Sequence, residues 1–143
     1  MNSSSRALLH LFFFFDTITR ERKKERRMNV YQAFFSLKPG VKDMDFCEAL
    51  RVYMEYLQNK GHLQKWRLLR RKLGLGPKEM GEFHLLMEFE SLDHLDQAFS
   101  NVATRQGEVE KKHHGVNHMI DKITFSLYRD FPDECRVVGG EEF

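Results

Sequence analysis

From Asn29 onward the chain alternates between two hydrophobic periods. NVYQAFFSL (Asn29–Leu37) is rich in β-branched and aromatic residues and is stopped by Lys38, Pro39 and Gly40, which predicts a strand. In DMDFCEALRVYMEYLQNKG the apolar residues Phe46, Ala49, Leu50, Tyr53 and Leu57 recur at helical spacing, so one stripe faces a core. Asp43 or Asp45 suits the start of that helix and Gly61 its end. LQKWRLLRRKLG (63–74) alternates in part. EFHLLMEFE (82–90) alternates throughout, with Phe83, Leu85, Met87 and Phe89 on one face and His84, Leu86 and Glu88 on the other. The turn-rich GLGPKEMG between them predicts a hairpin. A second amphipathic helix starts at the Ser91 cap and carries Leu92, Leu95, Phe99 and Val102. A short third helix fits GEVEKKHHGVNHMID, weakened by Gly115. KITFSLYRDFPD supplies a last strand, with Ile123, Phe125 and Leu127 alternating against Thr124, Ser126 and Tyr128.

The order strand, helix, strand, strand, helix, strand predicts an α+β fold of the ferredoxin-like βαββαβ kind. Two right-handed crossovers around the hairpin give a four-stranded antiparallel sheet with helices on one face. The hairpin is expected to close on Leu73 and Glu82, which sets Arg67 opposite Glu88, Leu69 opposite Leu86 and Arg71 opposite His84. The uncovered face then carries Val30, Phe34, Leu69, Leu86 and Tyr128, an apolar patch too large for a monomer to leave in water. A homodimer, sheet facing sheet, is the expected partnership.

With the NVYQAFFSL opening and the FSLYRDFPD close, this element order resembles the dimeric α+β barrel superfamily over residues 28–133. Within it the chain looks most like a small uncharacterised family of dimeric ferredoxin-like proteins from marine microbes. The resemblance implies two ferredoxin-like subunits closing their sheets into a shared barrel. The superfamily holds cofactor-free monooxygenases, lactone isomerases, haem enzymes and binding proteins, so it implies the fold without selecting a reaction.

Charge redraws the domain limits. The formal net charge is +2, but residues 1–27 hold seven basic residues (Arg6, Arg20, Arg22, Lys23, Lys24, Arg26, Arg27) against three acidic ones (Asp16, Glu21, Glu25). The rest is mildly acidic, which argues against a polyanionic partner. The run ALLHLFFFF in residues 7–15 is too short to span a bilayer and lacks a signal-cleavage pattern. Residues 1–27 are therefore expected to be a disordered extension outside the native fold, residues 28–133 the domain and residues 134–143 a tail, with no membrane partner. Cys47 and Cys135 give no disulfide framework, which favours a reducing, cytoplasmic setting.

Candidate chemistry is thin. His84 lies two positions from Glu88 on one strand face, where a carboxylate neighbour can poise an imidazole as a general base; the plainer reading is an interface histidine with its hydrogen bonds met. Glu110, His114 and His118 recur every four residues and can be read as a zinc or iron site, or as a solvated helix face, or with His114 and Asn117 turned into a ligand pocket. KWRLLRRK is the one dense basic stretch of the domain, but the third strand lacks the stacking rings of an RNA-recognition sheet, so no nucleic-acid partner is expected.

The sequence therefore points to a homodimer binding a small, partly apolar organic ligand, a cofactor-independent enzyme of monooxygenase or isomerase kind being one form of it. His84 is the candidate catalytic base. Tyr31, Trp66, Arg67, Arg70, His114, Asn117 and Tyr128 are the candidate ligand-binding residues, and neither a metal nor a cofactor is expected. The alternative is a non-catalytic dimerisation or ligand-carrying module.

Overall fold

The computed structural model describes residues 27–131. The expectations for the N-terminal extension and for residues 134–143 therefore fall outside the described residues, apart from Arg27. The strands are β1 (Asn29–Leu37), β2 (Lys65–Arg70), β3 (Phe83–Phe89) and β4 (Ile120–Arg129), and the helices α1 (Asp43–Asn59), α2 (Leu92–Ala103) and α3 (Gly107–Asn117). The strands form one antiparallel sheet in the order β2-β3-β1-β4. This is the ferredoxin-like α+β fold expected from the element order, and the short third helix expected within residues 107–121 forms as α3.

The core lies between the sheet and the helices. Phe35, Phe46, Leu50, Met54 and Phe89 are fully buried there, joined by Ala33, Phe83, Leu85, Leu95 and Ala98. Burying one such large side chain contributes roughly 1.5–3 kcal/mol, which orients α1 more firmly than its helix propensity could. At the end of α1 the His62 amide donates to the Leu57 carbonyl and the Gly61 amide to that of Gln58, with Gly61 at φ 76°. That is a Schellman stop, as Gly61 predicted. The start differs from expectation: Lys42 occupies the cap without a side-chain hydrogen bond, and Asp43 and Asp45 lie in the first turn, where they favour the positive end of the helix dipole. The Ser91 hydroxyl does cap α2, accepting from the His94 amide at 3.2 Å.

The hairpin register is two positions away from the expected one. Lys65 lies opposite Glu88, Arg67 opposite Leu86 and Leu69 opposite His84. The reason is in the loop. The Arg71 amide donates to the Glu82 carbonyl at 2.8 Å, so pairing closes there, and Leu73 has turned to φ 54°. The Arg71 guanidinium reaches into the loop and donates to the carbonyls of Pro77, Met80 and Gly81. A shift of two preserves which face each side chain occupies.

Along β4, Ser36 pairs with Asp121 but Phe35 with Ile123, leaving Lys122 unopposed at φ 45°. This bulge turns Ile120 and Ile123, three residues apart, to the same helix-facing side, a placement that strict alternation forbids.

Candidate functional site

A cavity of about 190 Å³ lies between the sheet and the helices. Its floor is Tyr31, Ala33 and Phe35 of β1 with Leu85, Met87 and Phe89 of β3; its side wall is Ile120, Ile123 and Phe125; its roof is Phe46, Leu50, Tyr53, Met54 and Leu57 of α1 with Ala98, Phe99 and Val102 of α2. Tyr31 meets Phe99 edge to face at 4.9 Å and stacks on Phe125 at 5.4 Å, which fixes one aromatic wall.

The polar groups gather at one end, from α3. His113 and Asn117 line the cavity together with a wider vestibule of about 450 Å³, whose rim adds Ala103, Arg105, Glu110 and His114. The α3 spacing explains why His113 turns inward: Val109 and Val116 are its buried positions, and His113 lies four residues after one and three before the other. Its Nδ1 is 3.6 Å from Glu110 Oε2, and its ring is 5.8 Å from that of Tyr53. Arg105, in the α2–α3 connection, is held at φ 50°, unusual for a residue with a side chain.

Tyr53 is 8% exposed, and among the described residues its hydroxyl has no hydrogen-bond partner. Burial, with the Glu110 carboxylate adding to it, pushes its phenol up to about 12. Burial also raises the Tyr31 phenol. Both stay protonated at neutral pH and can donate a hydrogen bond to a ligand.

Of the sequence candidates, Tyr31 and Asn117 line the cavity, and His114 lines only the vestibule beside it. Trp66 is on the helix side of β2 but outside the cavity lining, its Nε1 donating to Gln58 Oε1 at 3.2 Å. Arg70 is held at the far end by Asp43 at 3.0 Å and Glu82 at 2.6 Å, so it is no free anion partner. Arg67, His84 and Tyr128 lie on the opposite face of the sheet. There His84 Nε2 is 2.7 Å from Gln32 Oε1, and its ring stacks on Phe34 at 4.1 Å. Burial and then the Arg67 charge hold its pKa below the usual imidazole range. Leu69, not Arg71, is its neighbour on β2.

The Glu110, His114 and His118 triplet does not converge. Glu110 faces His113, and His118 Nδ1 is 2.8 Å from the His114 carbonyl oxygen. Among the described residues no three His, Cys, Asp or Glu side chains are gathered as a metal site. Sequence reasoning missed His113, Tyr53 and Arg105. The first two were findable, since each shares the period of a buried helix stripe.

No helix among the described residues is long and apolar enough to cross a membrane. The fold is similar to several solved structures. A dimeric ferredoxin-like protein of unknown function from a Jannaschia species is 14% identical, with 71% of this chain and 97% of that one covered at a TM-score of 0.54. A hydroxynitrile lyase from Passiflora edulis is 13% identical over 76% and 97%, at 0.56. SnoaB, a cofactor-independent oxygenase from Streptomyces nogalater, is 9% identical over 76% and 99%, at 0.52. At these identities the likeness is one of fold. No curated protein matches the sequence. A family of unknown function, DUF6614, matches residues 28–143, and the chain belongs to that family.

Proposed function

We propose that the protein is a homodimer in which each subunit binds a small, largely apolar organic molecule in the cavity between its sheet and helices. The observation that carries this reading is the distribution of polarity: apolar and aromatic walls inside, polar groups converging at one end. Such walls desolvate a ligand, and a few placed polar groups orient it. Tyr31 and Asn117 keep the ligand-binding role expected of them, His114 and Arg105 serve the vestibule, and Tyr53 and His113 join them. A cavity of about 190 Å³ is below the roughly 300–1,000 Å³ of drug-sized sites, so the ligand is small.

The sheet-to-sheet dimer is supported by the composition of the open face. Val30, Phe34, Leu69, Leu86 and Tyr128 share it, with Leu69 41% and Tyr128 61% exposed. The Passiflora lyase and the Streptomyces oxygenase show that folds of this kind accommodate enzymes, which supports a catalytic form of the same reading. The free thiol of Cys47 fits a reducing compartment such as the cytoplasm.

Native mass spectrometry on protein from its own host tests this. The expected mass is two chains with a small adduct, and Ala98→Phe, which fills the cavity, should lose the adduct and keep the dimer. Adduct retained equally by Ala98→Phe would place the ligand elsewhere.

A further inference from the structure

The cavity mouth holds one more arrangement than ligand binding requires. His113, Glu110 and Tyr53 converge there from two helices: the carboxylate approaches Nδ1 at 3.6 Å, the tyrosine ring lies 5.8 Å away, and both rings face the cavity. Tyr53 is more than nine-tenths buried, yet its hydroxyl has no partner among the described residues. A phenol on the cavity wall with no protein acceptor can donate to an acceptor on the ligand. The carboxylate on the Nδ1 side favours the tautomer with the proton on Nδ1, leaving the Nε2 lone pair free to accept one. The 3.6 Å separation is too long for a hydrogen bond, but such contacts tighten when a substrate fills the site.

We propose that this mouth is a proton-transfer site for small enolisable aryl carbonyl compounds, in which His113 is the base, Tyr53 holds the oxygen and Glu110 positions the imidazole. The inference rests on the ligand reading above. The C–H bond next to the carbonyl breaks and its proton forms an N–H bond at His113 Nε2. The electron pair left behind becomes the C=C bond of an enolate, whose oxygen accepts from the Tyr53 hydroxyl. Return of the proton by the imidazolium to a conjugated carbon makes the step an isomerisation; return to the same carbon restores the substrate with its hydrogen exchanged. Nothing is oxidised and no co-reactant is consumed. The aromatic wall of Tyr31, Phe99 and Phe125 accounts for the aryl part of the substrate.

The test is hydrogen–deuterium exchange at the α-carbon of 2-indanone in heavy water, followed by proton NMR, with binding of the same probe measured by saturation transfer. The wild-type dimer should exchange the probe well above the buffer rate. His113→Gln should lower the enzymatic rate by about 100-fold or more while the probe still binds. Tyr53→Phe should lower it with unchanged folding, and Glu110→Gln should lower the maximal exchange rate while leaving the probe's half-saturation concentration unchanged. A probe that binds but exchanges no faster than in buffer, or equally fast with His113→Gln, overturns the proton-transfer role and leaves the ligand reading standing. A probe that does not bind overturns both.

Discussion

Gly81 lies against the backbone of Phe35, so closely that a Cβ at position 81 would overlap the Phe35 carbonyl group. Phe35 is 1% exposed and packs on both Phe46 and Phe83, so the strand that would have to yield is anchored in the core. No side-chain rotation relieves a clash of backbone with Cβ. Gly81→Ala is therefore expected to destabilise the fold by more than about 2 kcal/mol. Gly115, whose Cβ would meet nothing within 4 Å, should tolerate the same change and be stabilised slightly as a helix residue. Thermal unfolding of the two variants side by side checks the pair, and equal melting temperatures would refute it.

The Arg71 guanidinium ties together the carbonyls of Pro77, Met80 and Gly81. Charge-assisted bonds of this kind are strong, but partial exposure discounts them here. Arg71→Ala should cost about 1–2 kcal/mol and open residues 72–80 to protease, while the register of β2 on β3 survives. Limited proteolysis reads the effect. A cut site that stays protected would mean that the loop is held by other contacts.

Burial raises the Tyr53 phenol to about 12, with the Glu110 carboxylate adding to it. In the unfolded chain the value is about 10, so the folded state holds its proton more tightly. Its contribution to stability is present below pH 10 and is lost as pH rises through 12, on the order of 2 kcal/mol. Stability measured by denaturant between these limits should fall for the wild type and fall less for Tyr53→Phe. Parallel curves for the two proteins would count against this placement of the hydroxyl.

His84 titrates in the opposite sense. Its pKa is lowered by burial and by the Arg67 charge, so the folded protein binds that proton less tightly than the unfolded chain does. The stabilisation is full above about pH 6.5 and disappears as pH falls through the lower folded value. If a second subunit covers this face the burial deepens, so the dimer should dissociate on acidification. Replacing His84 by Gln should flatten that dependence. Sedimentation at neutral and mildly acidic pH measures it, and a dimer fraction independent of pH in the wild type would exclude the role.

A charge placed on the open face should do what acid does, more completely. Leu69→Glu puts a carboxylate in the apolar patch beside His84 and Leu86 without touching the core, since Leu69 is 41% exposed. The expected result is a folded monomer. A dimer that persists would show that association uses another surface.

Most of the fold was legible because hydrophobic period is a local property. Asn29–Leu37, the α1 stripe through Tyr53 and the alternation of Phe83, Leu85, Met87 and Phe89 each specify a buried face within a few residues. The ends were less legible. Ser91 and Gly61 capped as expected, because a cap involves only its own turn, whereas Asp43 and Asp45 gave way to Lys42. On α2, Leu95 is buried as expected and Phe99 and Val102 line the cavity, but Leu92 is 44% exposed and Ala98, outside the expected set, joins the buried face.

The sequence by itself determined the order of elements, the two faces of the sheet and the apolar character of the face left open, since side-chain period alone decides each of these. Tertiary structure decided the rest. The hairpin closed at the backbone bond from Arg71 to Glu82 rather than at Leu73, and the Lys122 bulge brought Ile120 and Ile123 to one wall. The site itself was divided by the sheet: Tyr31 and Asn117 came together with His113 and Tyr53, while His84, Arg67 and Tyr128 fell on the other side. The period of α3 turns His113 inward, but the ring it meets there, Tyr53 of α1, lies sixty residues away along the chain. Proximity of that kind is fixed by packing between distant segments, which no local pattern encodes.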